Sequence, residues 1–228
     1  MKKTFDLAKK PSGYFSNPRP EMIKFIPRNA QKILEVGCGE GIFGFEMKKK
    51  LKAEVWGAEI NESAGKAAGK KLDKIIIGDI STEVVSQLPD NYFDCVVFND
   101  ILEHLADPYS VLIKIKPKLS PKGVVVCSLP NIRFFYTFKA LVLGKEWKYE
   151  DVGILDKTHL RFFTIKSIPE MFDSLGYEIE KIEGINPIEE IEGINSLKSW
   201  KYRIFNILSF GFFSDSRYCQ IACVASPK

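Results

Sequence analysis

The sequence has few of the residues that bind transition metals. Its 228 residues include only two histidines and five cysteines, and no two cysteines stand in a CxxC spacing. The number of cysteines is odd and three of them lie in apolar or glycine-rich runs, which also argues against a disulfide framework. We therefore expect no zinc site or other metal site, and a reducing cytoplasm is the expected compartment.

Long hydrophobic runs and an excess of charge of one sign are also missing. Lysine and arginine number 33 against 29 aspartates and glutamates, a net charge of +4. A nucleic-acid partner usually needs a concentrated basic face, so none is expected. No apolar signal segment follows Lys2 and Lys3, and no run reaches the roughly 18 apolar residues of a membrane span. The short apolar run 207–213 is interpreted as core or as a hydrophobic contact surface.

Short β-branched runs alternate with longer helical segments along the first half of the chain. The predicted strands are residues 33–36, 54–59, 74–77, 94–98, 124–128, 177–182 and 218–225. Near-continuous apolar runs of this length are typical of strands buried on both faces of a parallel sheet. Repeated strand–helix units predict an α/β fold with a doubly wound, mostly parallel, seven-stranded sheet.

The whole chain, 1–228, is expected to form a single domain with two additions. Residues 1–30 are interpreted as a leader that folds over the site. Residues 129–163 are dense in aromatic side chains and show no clear period. They are interpreted as an insertion after the fifth strand that lies over the carboxyl end of the sheet.

A glycine-rich turn at residues 37–41 carries the sharpest functional signal. It joins the first predicted strand to a predicted helix over 43–51, so its backbone N–H groups can face a ligand that a Cβ would exclude. The dinucleotide-binding pattern G-x-G-x-x-G, counted from Gly37, requires a glycine where Ile42 stands. No Gly-Lys-Ser/Thr follows, which excludes a P-loop.

Several motifs together resemble the class I S-adenosylmethionine (SAM)-dependent methyltransferases. Glu35-x-Gly-x-Gly-x-Gly is similar to their motif I, and acids stand at the ends of the second and third strands. Residues 93–105, which include Asn99-Asp100-Ile101-Leu102-Glu103-His104, resemble the fourth-strand motif of a subgroup that includes ubiquinone and menaquinone methyltransferases. The resemblance covers about residues 31–128 and implies a Rossmann-like fold with SAM as the cofactor.

The resemblance also implies which residues contact SAM. They are Glu35, Gly37, Cys38, Gly39, Gly41, Glu59, Ile60, Asp79, Ile80, Asn99 and Asp100. Glu59 would accept hydrogen bonds from both ribose hydroxyls, and Asp79 would accept one from the adenine amino group. The structural alternatives are a buried carboxylate bonded to backbone N–H groups for Glu35, an exposed strand-end acid for Glu59 and an Asx-turn for Asp79.

Two residues of the leader are further candidates for the cofactor site. In related enzymes such a segment can close over SAM, so Tyr14 and Arg19 are predicted to contact the methionine end of the cofactor. The alternative is a packed leader in which Arg19 is a surface residue.

The two histidines are the candidate catalytic residues. His104 stands four residues after Asp100, so on a helix the two side chains would share a face near the expected methyl group. His159 lies in a polar cluster of the insertion, where Asp156 and Arg161 could orient it as a general base near neutral pH. Alternatively, His104 only shapes the pocket, His159 only bonds the backbone of a long loop, and Arg161 binds an anionic acceptor.

The acceptor is constrained mainly by a second resemblance. Residues 128–131, 147–156 and 158–164 resemble bacterial methyltransferases associated with surface polysaccharides and glycosyltransferases. This implies a small-molecule or glycan hydroxyl as the acceptor. A quinone-like or other small metabolite and a non-catalytic SAM-binding subunit are the alternatives. Amino-methylating DNA enzymes are disfavoured because Asn99-Asp100-Ile101-Leu102 replaces their Asn/Asp-Pro-Pro-aromatic motif.

Overall fold

A computed structural model describes residues 13–193 and 196–228, and it contains a sheet flanked by helices. The strands are β1 Lys32–Val36, β2 Glu54–Glu59, β3 Lys74–Ile77, β4 Phe93–Asn99, β5 Leu119–Pro130, β6 Tyr177–Pro187 and β7 Tyr218–Pro227. The helices are α1 Ile42–Leu51, α2 Glu62–Ala68, α3 Pro108–Ile115, α4 Phe135–Val142, α5 Ser167–Ser174, α6 Ile188–Glu192 and α7 Leu197–Leu208.

The seven strands form one mixed sheet in the order β3-β2-β1-β4-β5-β7-β6. Strands β1 to β5 pair in parallel with one another. Strand β7 lies between β5 and β6 and pairs antiparallel with both. The prediction of an α/β fold with a seven-stranded sheet is therefore confirmed. The sheet is mixed, because the two pairings made by β7 at one edge are antiparallel. An antiparallel strand needs no crossover onto the far face of the sheet, so that edge can close without another strand–helix unit.

Each central strand is covered on both faces, which explains its continuous apolar sequence. In β1, Leu34 packs into one hydrophobic core with Val96, while its neighbour Ile33 packs into the other core with Val97. Successive side chains of a strand point to opposite faces, so both faces need apolar residues. The rigid sheet that results fixes where the loops at its carboxyl edge lie.

The chain reverses its strand order between β1 and β4. Strand β2 lies on one side of β1 and strand β4 on the other. In open α/β sheets this reversal leaves a crevice beyond the carboxyl ends of the strands, where ligands bind. The glycine-rich turn after β1, Glu59 at the end of β2 and Asn99 at the end of β4 all lie at this edge.

The aromatic segment after β5 is partly ordered by packing against the last third of the chain. Phe135 of α4 stacks against Tyr202 and Phe205 of α7 at ring-centroid distances of 5.7 and 5.3 Å. The segment is also fastened to the sheet, because the N–H of Asn131 donates to the carbonyl of Cys219 in β7 at 2.9 Å. The predicted insertion thus forms one short helix followed by an irregular stretch.

The apolar run 207–213 is a surface and not part of the core. Ile207 and Leu208 are 73% and 75% exposed, and Phe210 is fully exposed. Phe213 alone turns inward and stacks on Phe205, with ring centroids 4.8 Å apart. Of the two sequence interpretations, the hydrophobic contact surface is the one that fits. Within residues 13–193 and 196–228, the structure has no helix with the length and apolar character needed to span a bilayer.

Candidate active site

The glycine-rich turn is held by residues 13–30 of the leader, which lie across it, while residues 1–12 are outside the described residues. The N–H of Glu40 donates to the carbonyl of Phe15 at 2.7 Å. Gly39 adopts a φ of 52°, and a Cβ at this position would overlap that same carbonyl oxygen. Gly41 precedes α1 with a φ of 73°. Gly39 is thus required by the close approach of the leader backbone.

Glu59 ends β2 with a buried carboxylate. It accepts hydrogen bonds from the N–H of Gly39 at 2.7 Å and from the N–H of Asn61 at 2.8 Å. Its side chain is nearly inaccessible, and burial raises the pKa of the carboxyl group. The alternative of an exposed strand-end acid is therefore wrong. Each carboxylate oxygen has a second lone pair, so Glu59 can still accept from a ligand hydroxyl.

Glu35 matches its structural alternative, a buried carboxyl group that is hydrogen-bonded to the backbone. Its side chain is buried under the turn and accepts a hydrogen bond from the N–H of Gly44 at 3.0 Å. Burial raises the pKa of Glu35 to about 8, so the carboxyl group is largely protonated at neutral pH. Its position supports the start of α1 beneath the turn, and a direct contact with SAM stays a prediction.

The acid predicted to meet adenine also shapes a turn. Asp79 follows β3 and caps the following helical turn, accepting from the N–H of Ser81 at 2.7 Å. The Asx-type alternative is thus present, and one carboxylate oxygen, Oδ2, is left over for a ligand. Ile80 is buried in the core, whereas Ile60 is 57% exposed just after β2. Of these two isoleucines, only Ile60 presents its side chain at the surface beside Glu59.

Asn99 is the residue at the sheet edge whose side chain has unsatisfied hydrogen-bonding groups for a ligand. Both its amide nitrogen and its amide oxygen are buried, and neither has a hydrogen-bond partner among the described residues. A buried amide without partners costs free energy that a bound ligand can recover. Cys38 is buried in the turn on the other side of β1, and burial raises the pKa of its thiol. The thiol of Cys38 is therefore neutral, and its backbone N–H and carbonyl already bond Ala58 and Gly41 at 3.2 and 2.8 Å.

Asp100 is the centre of a polar cluster that sequence reasoning missed in part. It has a φ of 54° and pairs with the guanidinium of Arg19. The amide nitrogen of Gln220 lies 2.7 Å from its Oδ2, and the hydroxyl of Ser128 donates to its Oδ1 at 2.9 Å. Arg19 is 7% exposed, so the alternative of a surface arginine is wrong. The cluster anchors the leader to the ends of β4, β5 and β7.

The leader places Tyr14 among four acids. Burial raises the pKa of its phenol, and the neighbouring charges of Asp156, Glu103, Asp100 and Glu59 raise it further. The phenol is therefore neutral and can donate a hydrogen bond. These acids come from β2, the end of β4 and the insertion, so carboxyl groups from three parts of the chain lie near the Tyr14 hydroxyl. A sulfonium cation with an ammonium group suits such surroundings, whereas a pyrophosphate does not.

The two histidines meet in one cluster, although not as predicted. Asp100 lies outside any helix, and only Leu102–His104 form a short helical turn. The expected shared helix face of Asp100 and His104 is therefore wrong. Instead, the rings of His104 and His159 lie edge to face with centroids 4.7 Å apart. Nε2 of His159 is 4.0 Å from Oε1 of the fully buried Glu103.

The ring nitrogens of the two histidines contact backbone carbonyls and the Thr158 hydroxyl, and the backbone N–H of His159 donates to the carbonyl of Asp156 at 3.0 Å. His159 is 8% exposed, and its Nδ1 lies 2.9 Å from the carbonyl oxygen of Ile154. Asp156 accepts from the hydroxyl of Thr158 at 2.7 Å, and that hydroxyl lies 3.0 Å from Nδ1 of His104. Asp156 therefore acts on His104 through Thr158. The exposed Arg161 donates to the carbonyl of Ala106.

Glu103, Ser128, Thr158 and Gln220 were not among the predicted site residues. Glu103 and Thr158 each stand next to a predicted histidine, so adjacency was an available signal for both. The backbone of Glu103 also fastens the insertion, because its carbonyl accepts from the N–H of Leu160 at 2.8 Å. Gln220 lies on β7, and only the antiparallel pairing with β5 brings it to the site. No pattern in the sequence reveals that pairing.

Comparison with known proteins identifies the family of this site. A family model described as "Methyltransferase domain" matches residues 12–182, which is most of the chain. The chain belongs to this family. The methyltransferase resembles the ubiquinone biosynthesis O-methyltransferase of Cereibacter sphaeroides, with 25% identity over 184 residues that cover 78% of this chain and 70% of that protein. The enzyme of the same name from Thiobacillus denitrificans is 29% identical over 171 residues, or 71% and 72% of the two chains.

The fold is shared with a solved SAM-dependent methyltransferase from Archaeoglobus fulgidus. That structure matches 90% of both chains with a TM-score of 0.67 and 22% sequence identity. The family, the fold and motif I together make SAM the cofactor of this methyltransferase. The residues present fit it, because the crevice is acidic and the buried amide of Asn99 lacks a partner among the described residues. Bound there, SAM supplies an electrophilic methyl group on a sulfonium.

Proposed function

We propose that this methyltransferase transfers the SAM methyl group to a hydroxyl oxygen of a small acceptor held under the insertion. The observation that carries the proposal is the buried cluster of Glu103, His104 and His159 beside the acids of the cofactor crevice. An amine acceptor that is already neutral needs no base, whereas a hydroxyl must lose its proton to become a good nucleophile. A cluster of two imidazoles and a carboxyl group can accept that proton.

The cofactor contacts of the proposal follow the geometry of the sheet edge. Glu59 would accept from the ribose hydroxyls, Asp79 from the adenine amino group and Asn99 would bond the methionine end or the nucleoside. Tyr14 and the ion pair of Arg19 with Asp100 would close the crevice from the leader side. Their part is to hold the methyl carbon in line with the acceptor oxygen, and orientation of this kind contributes about 7–11 kcal/mol in favourable cases.

The proton steps assign roles to the chain's own residues. SAM held in the crevice would supply the methyl group, and its neutral thioether leaving group would need no proton from the protein. The hydroxyl proton passes to Nε2 of His159, whose Nδ1 is set by the carbonyl of Ile154 at 2.9 Å. That contact favours the tautomer with Nδ1 protonated, which leaves Nε2 as the acceptor. His104 packs on the His159 ring and limits its rotation.

Two acceptor classes fit this arrangement. A sugar or glycan hydroxyl is supported by the likeness of residues 128–131, 147–156 and 158–164 to methyltransferases of surface-polysaccharide systems. A quinone-like phenol is supported by the names of the relatives from Cereibacter sphaeroides and Thiobacillus denitrificans. It is also supported by the exposed apolar surface formed by Ile207, Leu208, Phe210 and Phe212, which suits a lipophilic molecule or its carrier.

An acceptor panel tests the proposal. The purified chain is incubated with SAM and with sugar nucleotides, catechols or reduced quinones, and S-adenosylhomocysteine and methylated products are measured. The expected product is a methyl ether, and His159→Gln should lower kcat much more than it changes the KM for SAM. The matched control is Glu178→Gln, which changes an exposed acid on β6. Methylation at nitrogen or carbon, with hydroxyl acceptors inert, would contradict the oxygen assignment.

A further inference from the structure

Three side chains in the insertion cluster stand close enough together to share one ion. Glu103, His104 and His159 each offer a ligand atom, and these atoms all lie within 4.8 Å of one another. Two ligand atoms bound to one divalent ion by bonds of about 2.1 Å lie at most about 4.2 Å apart. Rotations that move each atom by less than about 1 Å would therefore complete the set.

The carboxylate of Glu103 is the strongest sign that something belongs there. The side chain has no exposed surface, and neither of its oxygens has a hydrogen-bond partner among the described residues. Buried acids are rarely left in this state, since a buried carboxyl group without hydrogen-bond partners is costly whether or not it is ionised. The cations that lie nearby are already committed, because the Arg19 guanidinium pairs with Asp100 and Glu21.

The two imidazoles are oriented as metal ligands commonly are. Nδ1 of His159 lies 2.9 Å from the carbonyl of Ile154, and Nδ1 of His104 lies 3.2 Å from the carbonyl of Thr158. A ligating histidine usually bonds a backbone carbonyl through one ring nitrogen, which fixes the tautomer and turns the other nitrogen to the ion. Asp156 extends this arrangement, since it holds the Thr158 hydroxyl at 2.7 Å.

We propose that Glu103, His104 and His159 bind one divalent transition-metal ion. Two imidazole nitrogens and one carboxylate oxygen are ligands that suit Zn²⁺, Fe²⁺, Co²⁺ or Mn²⁺ better than Mg²⁺, which takes oxygen ligands. Three protein ligands leave a coordination position open, as in catalytic sites. The sequence alone predicts no metal site, because it contains only two histidines. The fold brings those two histidines together.

The position of the cluster gives the ion a role, and this part rests on the proposed function. Glu103 and Asp156 lie close enough to Tyr14 to raise the pKa of its phenol, as Glu59 of the cofactor crevice also does. A hydroxyl of the acceptor that reaches the ion would lose its proton more easily. The ion would then do the work assigned above to His159 as a base, and a chelator distinguishes the two.

Zinc binding to the full-length, tag-free chain tests the site directly. After removal of metal with a chelator, Zn²⁺ is titrated while the ¹⁵N signals of the imidazoles are followed by NMR. The sequence contains two histidines only, so both can be assigned without ambiguity. The expected result is one equivalent of Zn²⁺ that shifts both imidazoles together. No stoichiometric binding, or binding that leaves both imidazole signals in place, overturns the proposal.

Variants confirm which ligands bind the ion. Glu103→Gln and His159→Gln keep similar shapes, and each should weaken Zn²⁺ binding at least about tenfold, since even residues behind the ligands change affinity by about 10–100-fold. The matched control is Glu183→Gln, which changes a half-exposed acid on β6 and should leave the affinity unchanged. Wild-type affinity in both cluster variants would overturn the ligand assignment. If either variant fails to fold, Co²⁺ spectra of the wild-type chain decide, because thiolate bands would place the ion on cysteines instead.

The failure of this proposal and of the proposed function would look different. S-adenosylhomocysteine binding is measured in the same samples and should persist when metal is removed. Zinc binding without any O-methylation would leave the site standing and contradict the function. O-methylation that survives chelation at its full rate, with no zinc bound, would contradict the metal site and leave His159 as the base.

Discussion

At the scale of single residues, Glu59 is the side chain that we expect to contribute most to cofactor affinity. It is the buried acid at the end of β2, and it already accepts two backbone N–H groups of the crevice. We expect Glu59→Ala to weaken SAM binding at least about tenfold, because one charge-assisted hydrogen bond contributes about 1.5–3 kcal/mol. Isothermal calorimetry measures this affinity. Glu62→Ala, an exposed acid three residues away, is the control and should bind SAM normally.

An unchanged affinity in Glu59→Ala would remove the ribose contact from the proposal. The substitution also frees the N–H groups of Gly39 and Asn61, so a melting curve must accompany it. If the turn collapses, Glu59→Gln serves instead, since its amide oxygen still accepts one of these bonds.

The raised pKa of Glu35 predicts that the free energy of unfolding falls as the pH rises. Burial raises its pKa to about 8 in the folded chain, from an ordinary value of 4.5. The folded chain holds a proton that the unfolded chain releases, so this carboxyl group lowers the free energy of unfolding as the pH rises from about 4.5 to about 8. Its contribution is most favourable below about pH 4.5.

Glu35→Gln cannot ionise and should therefore gain stability relative to the wild type across that interval. Urea unfolding of both proteins at about pH 5 and about pH 8 measures the difference. The exposed Glu62→Gln is the control, since pairing with Lys66 lowers the pKa of that acid and no such gain is expected. A difference between Glu35→Gln and the wild type that is the same at both pH values would show that Glu35 is ionised throughout.

At the scale of elements, the glycine-rich turn and the leader act as one unit. A Cβ on Gly39 would overlap the carbonyl of Phe15, whereas a Cβ on Gly153 would meet nothing within 4 Å. Both glycines have positive φ, so replacement by alanine costs backbone strain at each. We expect Gly39→Ala to lose stability and SAM affinity beyond the loss in Gly153→Ala. Equal losses in melting temperature and affinity would mean that the leader does not rest on the turn.

The elements that were predicted well are those whose signals are local. The strands at 54–59 and 74–77 match β2 and β3 in both bounds, because their apolar runs end abruptly at polar or glycine residues. Strands β5 and β6 extend beyond the predicted 124–128 and 177–182. At their carboxyl ends the extra length comes from pairing with β7, a partner distant in sequence, and a local pattern does not report such pairing.

The residues of the candidate site also divide into those that local signals predict and those that depend on distant contacts. Gly39, Glu59 and Asp79 lie at strand ends, and the sheet places strand ends next to one another once its order is known. The cluster of Glu103, His104 and His159 was not foreseen because it depends on the path of an irregular segment. That path is set by hydrogen bonds such as the one from the N–H of Leu160 to the carbonyl of Glu103 at 2.8 Å.

At the scale of the whole molecule, cofactor binding is expected to stabilise the fold because it joins separate parts of the chain. The crevice is built from the leader, the ends of β1, β2 and β4, and the insertion, which unfolding would separate. A ligand that binds only the folded state at about 100 times its Kd adds about 2.7 kcal/mol to the free energy of unfolding. For a chain of this size, that corresponds to about 5–11 °C in Tm.

We therefore expect S-adenosylhomocysteine to raise the Tm by several degrees and NAD to leave it unchanged. The reason lies at the turn, where Ile42 replaces the glycine of the dinucleotide pattern and a pyrophosphate would come close to the carboxyl groups of Glu59 and Asp100. Differential scanning calorimetry of the wild type and of Glu59→Ala measures the effect, and the variant should show a smaller shift. A larger shift with NAD would mean that the crevice is built for a phosphate anion, and the electrostatic argument for a sulfonium would then be wrong.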